Sequence, residues 1–178
     1  LAQPLPPADL PVARGLVHYA RGVAYAAKGR YAEAELELGW VKGDQARVPE
    51  GEGRTVLSIA ALALEGEIAL RRGDAAAAVG HFRAASDLED GILYNEPPFW
   101  YYPMRMSLGQ ALLAAGQPAE AERVYERNLA LYPENVWGLA GLRNSLQAQG
   151  KPAEAAKVQQ RLDRAGASAD IPITGSRL

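Results

Sequence analysis

Gly116-Gln117-Pro118-Ala119-Glu120-Ala121 returns as Gly150-Lys151-Pro152-Ala153-Glu154-Ala155, 34 residues further along the chain. Looser copies stand upstream at Gly29-Arg30-Tyr31-Ala32-Glu33-Ala34 and Gly73-Asp74-Ala75-Ala76-Ala77-Ala78. An internal period of this length marks a stacked supersecondary unit, here lengthened twice by about ten residues. Each copy has the same grammar. A glycine tolerates the left-handed backbone that closes one helix, and proline or a polar residue opens the next.

Apolar residues at helical spacing flank each turn, such as Leu108, Leu112 and Leu113 before Gly116 and Val124, Tyr125, Leu129 and Leu131 after it. The chain is weighted toward Ala, Leu, Glu, Gln and Arg, with few β-branched residues in alternation, so helices and no sheet are expected. Every turn glycine then sits inside an antiparallel helical hairpin.

These residues resemble the tetratricopeptide repeat, whose consensus places Trp-x2-Leu-Gly-x2-Tyr before the turn and Ala-x3-Phe, then Pro, after it. The third copy is nearest, with Leu108-Gly109-x2-Leu112, Ala121-x3-Tyr125 and Pro133. The fourth has Leu142-Arg143-x2-Leu146 and Ala155-x3-Gln159. The second has Gly66-x2-Ala69 and Ala78-x3-Phe82, and the first Gly22-x2-Tyr25 and Ala34-x3-Leu38. The resemblance implies an all-α fold, a right-handed superhelical solenoid of antiparallel helix pairs forming one domain over 1–178. Its units are expected at about 15–48, 59–92, 102–135 and 136–169, after a Pro-rich lead-in at 1–14 and before a tail at 170–178. The chain is also similar to the C-terminal part of larger bacterial proteins with many such repeats. On that expectation the lead-in is a cut edge, and self-association through an exposed solenoid end follows.

Two insertions separate the units. Arg47 to Arg54, with Pro49, Gly51 and Gly53, reads as an exposed loop. Tyr94-Asn95-Glu96-Pro97-Pro98-Phe99-Trp100-Tyr101-Tyr102-Pro103 gathers three of the eight tyrosines and one of the three tryptophans. Tyr94, Trp100 and Tyr101 are candidate partner contacts there, because aromatics give large contact area at low entropic cost. The other reading is that Phe99, Trp100 and Tyr101 cover the edge between the second and third units.

A family member receives an extended or helical peptide on the concave face lined by the first helix of each unit. The repeat register places Tyr19, Val23 and Ala26, then Ala63, Glu67 and Arg71, then Met106, Gln110 and Leu113, and finally Ala140, Asn144 and Gln147 on that face. Tyr19, Val23, Glu67, Arg71, Met106, Gln110, Asn144 and Gln147 are the candidate groove contacts. Where members that grip acidic chaperone tails carry lysines, this chain has Tyr19, Ala63 and Met106. Only scattered cations such as Arg71 and Arg143 remain for a carboxylate.

Nineteen basic and 21 acidic residues give a net charge of -2 with no long block of either sign, so nucleic acid and anionic membranes are not expected partners. Without cysteine there is no disulfide, thiolate site or cysteine nucleophile. No apolar run spans a bilayer, and Leu1 to Leu10 does not read as a signal peptide. A soluble chain of the bacterial cytoplasm or periplasm is expected, with the compartment open.

His18 and His81 are the only histidines and fall in different units. No metal and no cofactor are expected, since neither belongs to a ligand-spaced pair. Glu33, Glu35 and Glu37 read as a solvated helix face, and Trp40 and Trp137 as packing residues. Ser58, Ser86, Ser107 and Ser145 have no nearby base in sequence, so no catalytic residue is proposed. The expected function is a protein-interaction module with a peptide in its groove. The alternative is a scaffold acting through its convex face and the aromatic insertion 94–103.

Overall fold

A computed structural model describes residues 4–93 and 95–176. Eight helices follow one another: α1 (Pro11–Ala27), α2 (Tyr31–Arg47), α3 (Glu52–Arg71), α4 (Ala75–Asp90), α5 (Met104–Ala114), α6 (Pro118–Leu131), α7 (Val136–Ala148) and α8 (Pro152–Ala165). No strand occurs among the described residues. The fold is of the all-α helical-repeat class.

The four hairpins close in the same way. Gly29, Gly73, Gly116 and Gly150 take φ of 70°, 86°, 71° and 71°. The next residue then donates its N–H back across the turn: Arg30 to Tyr25 O at 2.9 Å, Asp74 to Ala69 O at 2.9 Å, Gln117 to Leu112 O at 2.8 Å and Lys151 to Leu146 O at 3.0 Å. This is the bond of a Schellman ending, and it satisfies a carbonyl the helix itself leaves open. Pro118 and Pro152 open α6 and α8, where a missing N–H costs nothing. Asp74 opens α4 by accepting from Ala77 N at 2.9 Å.

The chain forms two compact units, dividing after Tyr101. In the first, α1 packs on α2 and α3, and α3 on α4. A Cβ on Gly15 would lie 2.6 Å from Leu57 and one on Gly22 2.4 Å from Leu64, so α3 leucines seat directly on the α1 backbone. Gly66 receives Phe82 of α4 in the same manner. Ala26, Ala34, Leu64 and Ile68 form a buried cluster with Tyr19, Val23, Tyr25, Tyr31 and Leu38 against it.

The segment Arg47 to Arg54, expected as a loop, is only half loop. Only residues 48–51 connect α2 to α3, and Val48 among them is buried. The added residues lengthen the first-unit helices, which run 17, 17, 20 and 16 residues against 11, 14, 13 and 14 in the second unit. Gly53 is no loop punctuation. It lies in the first turn of α3, where its bare Cα faces Val12 and Val48.

Two further expectations are corrected in this unit. Glu37 does not lie on a solvated face but meets the buried His18, with Oε2 2.5 Å from Nδ1. Trp40 is not packed inside: it is 60% exposed and stacks on the His18 ring, centroids 5.9 Å apart. The histidine is held from two sides by residues one turn or less apart on α2.

In the second unit α6 packs on both α5 and α7, and α7 on α8. Tyr125 of α6 is fully buried, its ring against Gly109 of α5 and Gly141 of α7. Both glycines are required because any side chain would occupy the space of that ring. Glu122 of α6 accepts from Gln149 Nε2 at 2.6 Å and Lys151 Nζ at 2.7 Å, joining α6 to the turn before α8.

Candidate functional site

The polar face of the second unit is built from α5, α6 and α7. Because the Tyr125 ring passes between two glycine backbones, its hydroxyl emerges on the side where Gln110 and Asn144 stand. Those residues, with Leu113, Ala114 and Gly141, line a half-open cleft of about 490 Å³. Its remaining wall is Thr174, Gly175 and Ser176, from the segment that follows α8.

That segment is held by name. Arg143 Nη2 and Asn144 Nδ2 both donate to the Thr174 carbonyl, at 2.8 and 3.0 Å. The Tyr102 hydroxyl donates to the Ser176 carbonyl. Ser176 Oγ donates to Met106 O at 3.2 Å and lies 2.7 Å from the Tyr125 hydroxyl. Since the serine proton is committed to a carbonyl, the tyrosine is the donor in the second bond. Ser176 is 3% exposed.

Two departures from the repeat consensus supply this chemistry. The position after Ala-x3 is Leu38, Phe82, Tyr125 and Gln159 in successive hairpins. Phe82 can only pack, whereas Tyr125 packs and also delivers a hydroxyl. Gln159 accepts from Arg143 Nη1 at 2.8 Å, while Asn144 Oδ1 accepts from Arg143 Nε and Nη2 at 3.0 and 2.7 Å. The guanidinium is thereby fixed in plane, which its five-donor fork permits and a lysine would not.

Of the candidate groove residues in this unit, Gln110 and Asn144 come together at the cleft, and Gln147 stands outside its lining. Met106 is a correction: its side chain is buried, and only its carbonyl oxygen meets the segment. Tyr102, Tyr125 and Ser176 were missed as site residues, and Arg143 was named only as a scattered cation. The available signal was the run Ile171-Pro172-Ile173-Thr174, whose proline and β-branched residues favour extended backbone.

The first unit distributes its candidates differently. Val23 and Tyr19 pack against the α1–α3 cluster, and Tyr19 also meets Trp100, ring centroids 5.4 Å apart. Glu67 is buried and pairs with Arg71 one turn along α3, so the two serve each other first. Trp100 is corrected in the same sense, being only 5% exposed, whereas Tyr101 rests against it at 5.5 Å and is 76% exposed. Tyr94 lies outside the described residues.

Charge around both units is local and paired. Arg30 beside Glu33 holds that carboxyl below the usual carboxylate range, and Lys151, then Gln149, do the same for Glu122. Among the described residues no group of three His, Asp or Glu side chains is placed to hold a metal ion. None of the described helices is long and apolar enough to cross a membrane.

The family model described as Tetratricopeptide repeat matches the chain at two places, residues 15–35 and 105–127. Each match spans a turn glycine with part of the two helices it joins, in the first and third hairpins. Among curated proteins none matches the chain. With two matched stretches and four hairpins closed by one turn geometry, the chain carries tetratricopeptide repeats.

Proposed function

We propose that the second unit binds a non-helical peptide segment of a partner protein across α5 and α7. Tetratricopeptide repeats are in general protein–protein interaction modules, and here the hydrogen-bonding groups for a backbone are already aimed outward. The observation that carries the reading is the occupation of this face by a non-helical stretch of the chain itself, through two main-chain carbonyls. Main-chain recognition gives affinity for such a segment, and side-chain pockets give its selectivity.

Peptide display on the intact chain tests this. Selected peptides should lose binding to the double variant Gln110→Glu with Asn144→Asp at unchanged helicity. Selected peptides indifferent to both substitutions would overturn it.

The exposed Tyr101 favours a second reading, in which the aromatic insertion contacts a partner and the cleft is idle. Tyr101→Ser should then abolish capture while Asn144→Asp does not. Leu36 and Trp40, exposed one turn apart on α2, form the apolar surface through which self-association would run. Sedimentation of Trp40→Ser against the parent chain reads that directly.

A further inference from the structure

We propose that Ile171–Ser176 is a resident occupant of the second-unit site, and that the site selects from a partner a segment that places a small hydroxyl residue where Ser176 stands. The inference rests on the peptide-binding reading above and specifies its ligand.

The bonds fall on residues 174 and 176, two apart. Carbonyls inside a helix are already bonded to the N–H four residues on, so a helical ligand cannot offer this pair. Between them stands Gly175, where a Cβ would meet Asn144 Nδ2 at 4.0 Å, an ordinary van der Waals contact.

The hydroxyl is read from both sides. Ser176 Oγ donates to Met106 O and lies 2.7 Å from the Tyr125 hydroxyl, and the residue is buried. Alanine would lose both bonds. A carboxylate would put charge against a carbonyl oxygen.

The resident is also an imperfect ligand. Gln110 Oε1 is buried in the lining of the same cleft and has no hydrogen-bond partner among the described residues. Ile171 and Thr174 remain exposed and Ile173 is only half-buried, so the segment has no fully buried apolar anchor among the described residues. A partner segment that offers Gln110 an N–H gains a bond the resident lacks. The resident's advantage is its tether, which supplies a high effective concentration.

The test uses a fluorescein-labelled, amidated peptide of sequence 169–176 and the full chain, read by anisotropy. In one variant, Gly175→Trp with Ser176→Asp, the resident segment is displaced. That variant should bind the peptide at least about ten-fold more tightly than the parent, as follows when the parent site is nine-tenths occupied. Ser176→Ala alone, which removes only the hydroxyl, should give a smaller gain of the same sign and serves if the double variant does not fold. A peptide with alanine in place of its serine, or the chain variant Tyr125→Phe, should lose the gain. Equal affinity for parent and displaced chain, or no binding by either, overturns resident occupancy, and indifference to the serine overturns the hydroxyl selection. A parent dimer that dissociates on displacement overturns occupation within one chain. Displayed peptides that still depend on Gln110 and Asn144 would show the groove reading surviving such a failure.

Discussion

A Cβ built on Gly141 would lie 2.3 Å from the Tyr125 ring, so α7 approaches α6 as closely as a bare backbone allows. Gly141→Ala should therefore force the ring to move and cost about 1–3 kcal/mol, the range for overpacking a filled core. Urea denaturation of the parent and variant chains reads the loss, and an unchanged midpoint would refute the packing argument.

Gly39 supplies the opposite case. It lies inside α2, exposed, with no atom near the position its Cβ would take. Gly39→Ala should stabilise the chain by about 0.5–1 kcal/mol through helix propensity and the entropy of the unfolded state. A thermal melt that falls would count against it.

Tyr125→Phe keeps the ring between its two glycines and removes only the hydroxyl. The expected cost is about 1 kcal/mol, one hydrogen bond to a buried partner. Amide hydrogen exchange should rise at residues 171–176 and not in α6. Faster exchange throughout α6 would mean that the ring, and not the bond, had been disturbed.

Glu37→Ala strips the buried His18 of the carboxylate at 2.5 Å. Leaving a buried polar group unmatched costs about 1–3 kcal/mol, so the first unit should melt earlier. Because Trp40 stacks on the same ring, its fluorescence should change in the folded state as well. A variant with parental stability and spectrum would show that the contact contributes nothing.

Glu122 gives a pH dependence of definite sign. Its carboxyl is held below the usual range by Lys151 and Gln149, so the folded form binds its proton less readily than the unfolded form. The resulting stability is present above the unfolded pKa and is lost as pH falls through the folded one. Glu122→Gln should flatten this part of the acid limb of stability against pH. An acid limb identical to the parent's would remove Glu122 from that account.

The fold was legible because its determinants are local. Each turn glycine lies within six residues of the bonds that close its turn, and proline or aspartate follows three of the four. The polar cleft was half legible, since Gln110 and Asn144 follow from the repeat register. Its occupant was not, because Ser176 finds Tyr102, Tyr125 and Met106 at separations of 74, 51 and 70 residues. No periodicity links positions so far apart. Trp40 misled for a related reason: a large apolar side chain is ordinarily inside, and its stacking on His18 depends on where α1 lies.

The glycines of α1 carry a mechanical consequence. Gly15 receives Leu57 and Gly22 receives Leu64, two knobs seven residues apart on α3 seated in two sockets seven residues apart on α1. A slide of one turn would bring each leucine toward bulky residues such as His18 or Tyr25 instead of a bare backbone. The next matching notch lies about 10 Å away at 1.5 Å per residue. These two helices therefore behave as a latched pair, and a load on one is carried by the other without creep.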